Sequence, residues 1–135
     1  VSEEKIEIIQ SVAFEYGVIE LRSDDILTYE PKEGLTSYSM PQVIEIVRIF
    51  KELCNGKPLP TFFNNTQYTE STTGEVKKYT RIHLQEFASV CAMTENSPMT
   101  RFFVHAFLSL YKQKVPVKMF KNKEEAIDWL KTQHA

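Results

Sequence analysis

The feature that most constrains this chain is a helix signal whose two ends and single apolar face are all written in the sequence. Ser39 is a good N-cap residue, Pro41 suits a first turn, and Gln42 stands three residues on, completing a capping-box pattern. Val43, Ile46, Val47, Phe50, Leu53 and Cys54 recur at three- and four-residue spacing, Glu45, Arg48 and Glu52 take the other side, and Asn55-Gly56 supplies a left-handed stop. A helix with one apolar stripe has to lay that stripe on a partner layer, and the flanking segments read as a sheet.

Before the helix, Val12 to Tyr16 alternates apolar and polar with period two, and Val18 to Leu21 resumes the pattern beyond Gly17, which predicts an antiparallel hairpin. Ile26 to Tyr29 gives a third short strand or extended segment ending at Pro31. After the helix, Leu59 to Phe63 reads as a buried strand closed by Asn64-Asn65, and Phe87 to Met93 as an interior strand. Between them Thr72 and Glu75 form a capping-box pattern for a helix of two or three turns that carries Gly74 in its first turn. Ser97-Pro98 opens a third helix running to Lys112, Val115 to Phe120 is a strand, and Asn122 answered by Glu125 caps a last helix with Ala126, Ile127, Trp129 and Leu130 on its apolar side. Strands and helices thus alternate from Ser39 onward, which predicts an α/β fold: a mixed, mainly parallel sheet of about five strands covered by about four helices, with an antiparallel hairpin at the start.

A length of 135 residues, with 42% hydrophobic and 25% charged residues, suits one globular domain over 1–135 without disulfides or a structural metal. The net charge of −2 comes from scattered acids and bases, so nucleic acid is not an expected partner. Lys112, Lys114, Lys118, Lys121 and Lys123 form the densest basic stretch and read as a solvated edge. Cys54 and Cys91 lie within apolar runs, where Cys acts as a small hydrophobe. Neither a basic-then-apolar leader nor an apolar run near the roughly 20 residues of a bilayer span is present, and the expectation is a cytoplasmic protein.

Catalytic patterns are missing from the sequence. His83, His105 and His134 have no Cys or His at ligand spacing, Gly17, Gly34, Gly56 and Gly74 form no phosphate loop, and no Gly-x-Ser-x-Gly occurs. The carboxylates Asp24, Asp25, Glu124 and Glu125 are accounted for by turns and a helix first turn. The expectation is therefore no enzyme, no metal and no cofactor.

Two features rise above this background. On the helix from Ser97 to Lys112, Met99, Phe102, Phe103, Ala106, Phe107 and Leu110 make one apolar face, and Val104, Leu108 and Tyr111 make a second. Only a narrow polar stripe remains, so Phe102, Phe103, Phe107 and Tyr111 are candidates for contact with a nonpolar ligand, a membrane surface or a second subunit, beside ordinary burial in the core. The other feature is the hydroxyl cluster Ser71, Thr72 and Thr73 at a helix start directly after a central strand. Plain capping accounts for it, and unpaired amides there would also favour a phosphate.

The element order, together with Phe87 to Met93, Asn96-Ser97-Pro98, the Phe-rich helix, Val115-Pro116-Val117, Met119-Phe120, Glu124-Glu125-Ala126 and Trp129-Leu130-Lys131, resembles the STAS-like fold of anti-sigma-factor antagonists and a small uncharacterised bacterial family with that fold. In the antagonists an Asp-Ser-Ser-Gly turn holds the serine that a kinase phosphorylates to break a protein complex. Glu70-Ser71-Thr72-Thr73-Gly74 is similar at that place, with Glu for Asp and an additional Thr before the Gly. The resemblance implies a non-catalytic regulatory domain that binds a protein partner, with Ser71, Thr72 and Thr73 as candidate phospho-switch or partner-binding residues. Related domains also resemble lipid carriers of the CRAL-TRIO kind, which implies the alternative of a nonpolar ligand or membrane contact. Homodimerisation through an edge strand or the apolar helix is compatible with either.

Overall fold

Polar turns and alternating apolar residues make the first three strands a meander. The structure is a computed structural model and describes residues 5–35, 37–64, 74–94 and 114–133. Strand β1 (Ile8–Phe14) pairs antiparallel with β2 (Gly17–Arg22), which pairs antiparallel with β3 (Leu27–Pro31). The turn into β2 requires glycine. Gly17 has φ 156°, and a Cβ there would lie 2.3 Å from the Glu30 carbonyl oxygen and 2.9 Å from Pro31 Cα, so the β3 backbone occupies the space of a side chain. The next turn is held by Arg22 on Asp24 at 2.8 Å and by Asp25 in the left-handed region at φ 60°.

From β3 onward the sheet is parallel. Strand β3 pairs with β4 (Leu59–Asn64), β4 with β5 (Ala88–Thr94) and β5 with β6 (Val117–Phe120), giving, among the described residues, a six-stranded sheet in which spatial order is chain order. Of the two readings left open for Ile26 onward, a strand or an extended segment, the strand holds: Leu27–Pro31 is a full member of the sheet, which makes six strands among the described residues where about five were expected. The hairpin is also longer than its alternation suggested. In β1, Ile8 pairs with Arg22 and Gln10 with Leu21, so Ile9 is an extra residue, and this bulge breaks the period-two pattern ahead of Val12.

Helix α1 (Met40–Cys54) has the boundaries its sequence signals predict. The Ser39 backbone N–H donates to Gln42 Oε1 at 2.7 Å, and Asn55 closes the other end at φ 51°, its N–H donating to the Lys51 carbonyl. Helix α2 (Gly74–His83) runs into a single 3₁₀ turn, Leu84–Glu86, which absorbs Phe87's neighbours and delays β5 until Ala88. Helix α3 (Lys123–Lys131) is capped by Asn122, whose side-chain oxygen accepts from the Glu125 N–H at 2.9 Å. The third expected helix, 97–112, and the Thr72 capping position lie outside the described residues.

The helices cover opposite faces. Alternation along β4 sends Leu59 and Phe63 to the α1 and α2 side and Phe62 to the α3 side. In β5 the pairing skips Ser89, so Ala88 and Cys91 join the first cluster while Val90 and Ala92 join the second. The first cluster is aromatic at its centre, with Phe50 stacked on Phe87 at 4.6 Å and 9° and Phe63 edge-on to Phe50 at 5.2 Å. The second is smaller and largely aliphatic: Ile26, Phe62, Val90, Ala92, Ala126, Ile127 and Leu130.

Candidate functional site

The residues singled out by sequence, Ser71, Thr72, Thr73, Phe102, Phe103, Phe107 and Tyr111, all lie outside the described residues, as does His105. What is described is the framework that leads into and out of the hydroxyl segment: Asn64 at the end of β4 and Gly74 at the start of α2.

Asn64 belongs to a polar frame at the carboxyl ends of three neighbouring strands. Its side-chain NH₂ donates to Glu30 Oε2 at 2.6 Å, its carbonyl oxygen accepts from the buried Thr94 hydroxyl at 3.2 Å, and Lys123 Nζ donates to Glu30 Oε1 at 3.0 Å. The placement follows from register. Asn64 pairs with Thr94 across the parallel β4–β5 ladder, so the two side chains share a face, and Glu30 sits one residue beyond the Tyr29–Phe63 pair on β3. Lys123 arrives from the first residue of α3, with its ammonium 5.6 Å from the centroid of the buried Phe62 ring. The carboxyl ends of parallel strands are where open α/β sheets place ligands and partner contacts. Here that end is built from groups that satisfy one another.

A second constellation lies between α1 and α2, in an open groove of about 410 Å³ lined by Ile44, Val47, Arg48, Lys51, Glu52, Tyr79, His83 and Glu86. Its ionisable groups are paired with one another. Arg48 bridges Glu45 and Glu52 on its own helix, His83 Nδ1 lies 2.8 Å from Glu86 Oε1, and Lys51 reaches the same oxygen from α1 at 3.2 Å. The hydrogen bond from His83, with Lys51 in support, holds the Glu86 carboxyl below its ordinary value. Arg48 does the same to Glu45. The Tyr79 and His83 rings lie 4.1 Å apart, so the groove has an aromatic wall beside the apolar surface of Ile44 and Val47.

Two further titratable side chains among the described residues, Cys91 and Tyr29, are packed away. Burial raises the Cys91 thiol, which is fully enclosed in β5 and cannot supply a thiolate. Burial also raises the Tyr29 phenol; its hydroxyl donates to the Tyr16 carbonyl at 3.2 Å and ties β3 to the β1–β2 turn. Among the described residues no group of three or more His, Cys, Asp and Glu side chains is arranged to hold a metal ion. The frame and the groove can position and bind; neither presents an activated nucleophile next to a base.

Sequence reasoning missed both constellations. The groove had a local signal, the His83 to Glu86 spacing of three residues at a helix end. The frame had none, because Glu30 and Lys123 are 93 residues apart.

A model of a domain family of unknown function, DUF7793, matches residues 19–134. The chain belongs to this family. No curated protein resembles this DUF7793 domain at a significant level. Among solved structures it is similar to an uncharacterised protein of the DUF3478 family with a SpoIIAA-like fold from Shewanella loihica PV-4, with 13% identity, 96% of this chain and 98% of that chain covered, and a TM-score of 0.56. That likeness shows the fold, which is STAS-like, as the element order implied. A protein of unknown function from Arthrobacter sp. FB24 is 24% identical over 88% of this chain and 95% of that one, with a TM-score of 0.27. The DUF7793 domain thus has a STAS-like fold, and among its described residues no helix is long and apolar enough to cross a membrane.

Proposed function

We propose that this DUF7793 domain is a non-catalytic, cytoplasmic regulatory module that docks a protein partner along the surface running from Asn64 through α2. Ser71, Thr72 or Thr73 would be the residue whose phosphorylation weakens the contact. The observation that supports this most is the α1–α2 groove, where apolar and aromatic surface stays open while the surrounding charges neutralise one another, a composition suited to a polypeptide surface. Ile82, on α2 and 43% exposed, adds apolar area. The frame through Asn64 supports the same reading, because it fixes the strand end from which the hydroxyl segment departs.

Affinity capture from native cells with the intact domain tests the proposal. The partner captured by the native sequence should be lost on Ile82→Asp and on Ser71→Asp or Thr72→Asp, and retained on Lys118→Glu at the far edge of the sheet, with melting temperatures unchanged. Equal capture by all four variants would sink the reading. Liposome flotation and native mass spectrometry separate it from the carrier alternative, in which Phe102, Phe103, Phe107 and Tyr111 hold a nonpolar molecule. A co-purifying lipid lost on Phe107→Ser would transfer the function to that helix.

A further inference from the structure

Of the ionisable side chains that line the α1–α2 groove, only His83 is of the type that gains or loses its charge near neutral pH. Its ring is already oriented. Both oxygens of Glu86 lie within reach of Nδ1, at 2.8 and 2.9 Å. The Glu86 carboxyl is held below its ordinary value and is therefore ionised; an ionised carboxylate only accepts, so Nδ1 carries the hydrogen. In the neutral ring this leaves Nε2 a bare acceptor, and among the described residues Nε2 has no hydrogen-bond partner. The side chain is 31% exposed and faces the groove as part of its lining.

Every element packed around the ring adds a charge or a dipole. Glu86 comes from the 3₁₀ turn, Tyr79 of α2 lays its ring 4.1 Å away, and α2 itself ends at His83, where helix carbonyls favour a cation. From α1 come Lys51, 3.2 Å from Glu86 Oε1, and the bonded pair Arg48 and Glu52. Along the lining Arg48 and Lys51 offset Glu52 and Glu86, while Glu45, also bonded to Arg48, does not line the groove. A proton on His83 is thus the uncompensated charge of the groove, set beside the apolar surface of Ile44 and Val47.

We propose that His83 makes this groove a proton-gated dock for an acidic polypeptide segment: the neutral ring turns a lone pair toward the segment's carboxylate, and the protonated ring donates to it from Nε2. The inference rests on the docking reading above and names the chemistry of the partner at that site. Binding that takes up a proton is favoured where protons are plentiful, so affinity rises as the pH falls from weakly alkaline to weakly acidic. Apolar side chains of the segment cover Ile44 and Val47 at either pH, so binding at the higher pH is weakened, not abolished.

Fluorescence anisotropy on the full chain with two capped helical peptides tests it. One peptide carries leucines on one face bordered by glutamates; the other has glutamine at each glutamate. The comparison runs from about pH 8 to about pH 5.5, above the range in which the peptide's own carboxylates take up protons. The glutamate peptide should bind the native domain about five- to tenfold more tightly at the lower pH, as expected for one charge-assisted hydrogen bond. The glutamine peptide should bind equally at both. His83→Gln should hold the glutamate peptide at both with the affinity that the native domain shows at the higher pH. Nitrogen-15 spectra of the native imidazole should show the Nδ1–H form at the higher pH, and Glu86→Ala should abolish that preference. An affinity that ignores pH, a pH dependence shared by the glutamine peptide or by His83→Gln, or an Nε2–H ring at the higher pH would each overturn the gate and leave docking standing. Binding of neither peptide at either pH would sink the docking reading, and the gate with it.

Discussion

The two faces of the sheet solve the same burial problem by different means. On the α1 and α2 side, Phe50, Phe63, Phe87 and Tyr29 interlock, each ring resting on at least one other. On the α3 side the fully buried residues are aliphatic apart from Phe62, with the partly buried Phe120 and Trp129 packed at the margin, and the hydrogen-bonded chain Thr94, Asn64, Glu30 and Lys123 closes the upper end. One face derives its stability from dispersion and apolar area, the other from a smaller area and a few directional bonds. The first resists deformation everywhere, whereas the second can be loosened at one point.

Truncation separates the two most strongly. Phe50→Ala removes the ring stacked on Phe87 and should cost about 4 kcal/mol, while Leu130→Ala, fully buried under α3, should cost about 3 kcal/mol, both read from urea denaturation. If Leu130→Ala costs as much as Phe50→Ala, the distinction between the faces is wrong. Asn64→Ala comes next. It deprives the buried Thr94 hydroxyl of its acceptor and Glu30 of a donor, and should lower stability by about 1–2 kcal/mol with an unchanged denaturant slope.

The smallest effect belongs to the groove. Since Glu86 titrates lower in the folded chain than its ordinary value of 4.5, its charge stabilises the fold above that pH, and the contribution is lost as pH falls below it. Glu86→Gln should therefore melt slightly lower than the native domain at neutral pH, with the gap closing in acid. A gap that widens in acid would reverse the assignment of His83 and Lys51 as its stabilisers.

Much of this architecture could be read from the chain because local rules and tertiary packing agree. Ser39, Gln42 and Asn55 bound α1, and Asn122 with Glu125 opens α3, through bonds that close within one helical turn. The reading failed where structure depends on distant partners. Ile8 and Ile9 look like an interrupted pattern until the bulge opposite Leu21 and Arg22 explains them. Phe87 resembles the first residue of a strand, yet it follows a 3₁₀ turn and stacks on Phe50 from a helix far upstream. The Glu30, Asn64, Thr94 and Lys123 frame joins four elements, and no spacing rule connects them. The hydroxyl cluster was visible for the opposite reason: its residues adjoin in sequence, so its detection needed no fold.

Because each strand lies beside its sequence neighbour, the sheet has a natural direction of growth. During synthesis, at about 5–20 residues per second, β2 emerges next to a finished β1, and every later strand meets a ladder already in place. No strand must wait for a distant successor to be inserted between earlier ones. A ribosome-stalled chain ending after β4 would already contain the Gly17 turn, α1 and the antiparallel-to-parallel junction at β3, leaving only additions at one side.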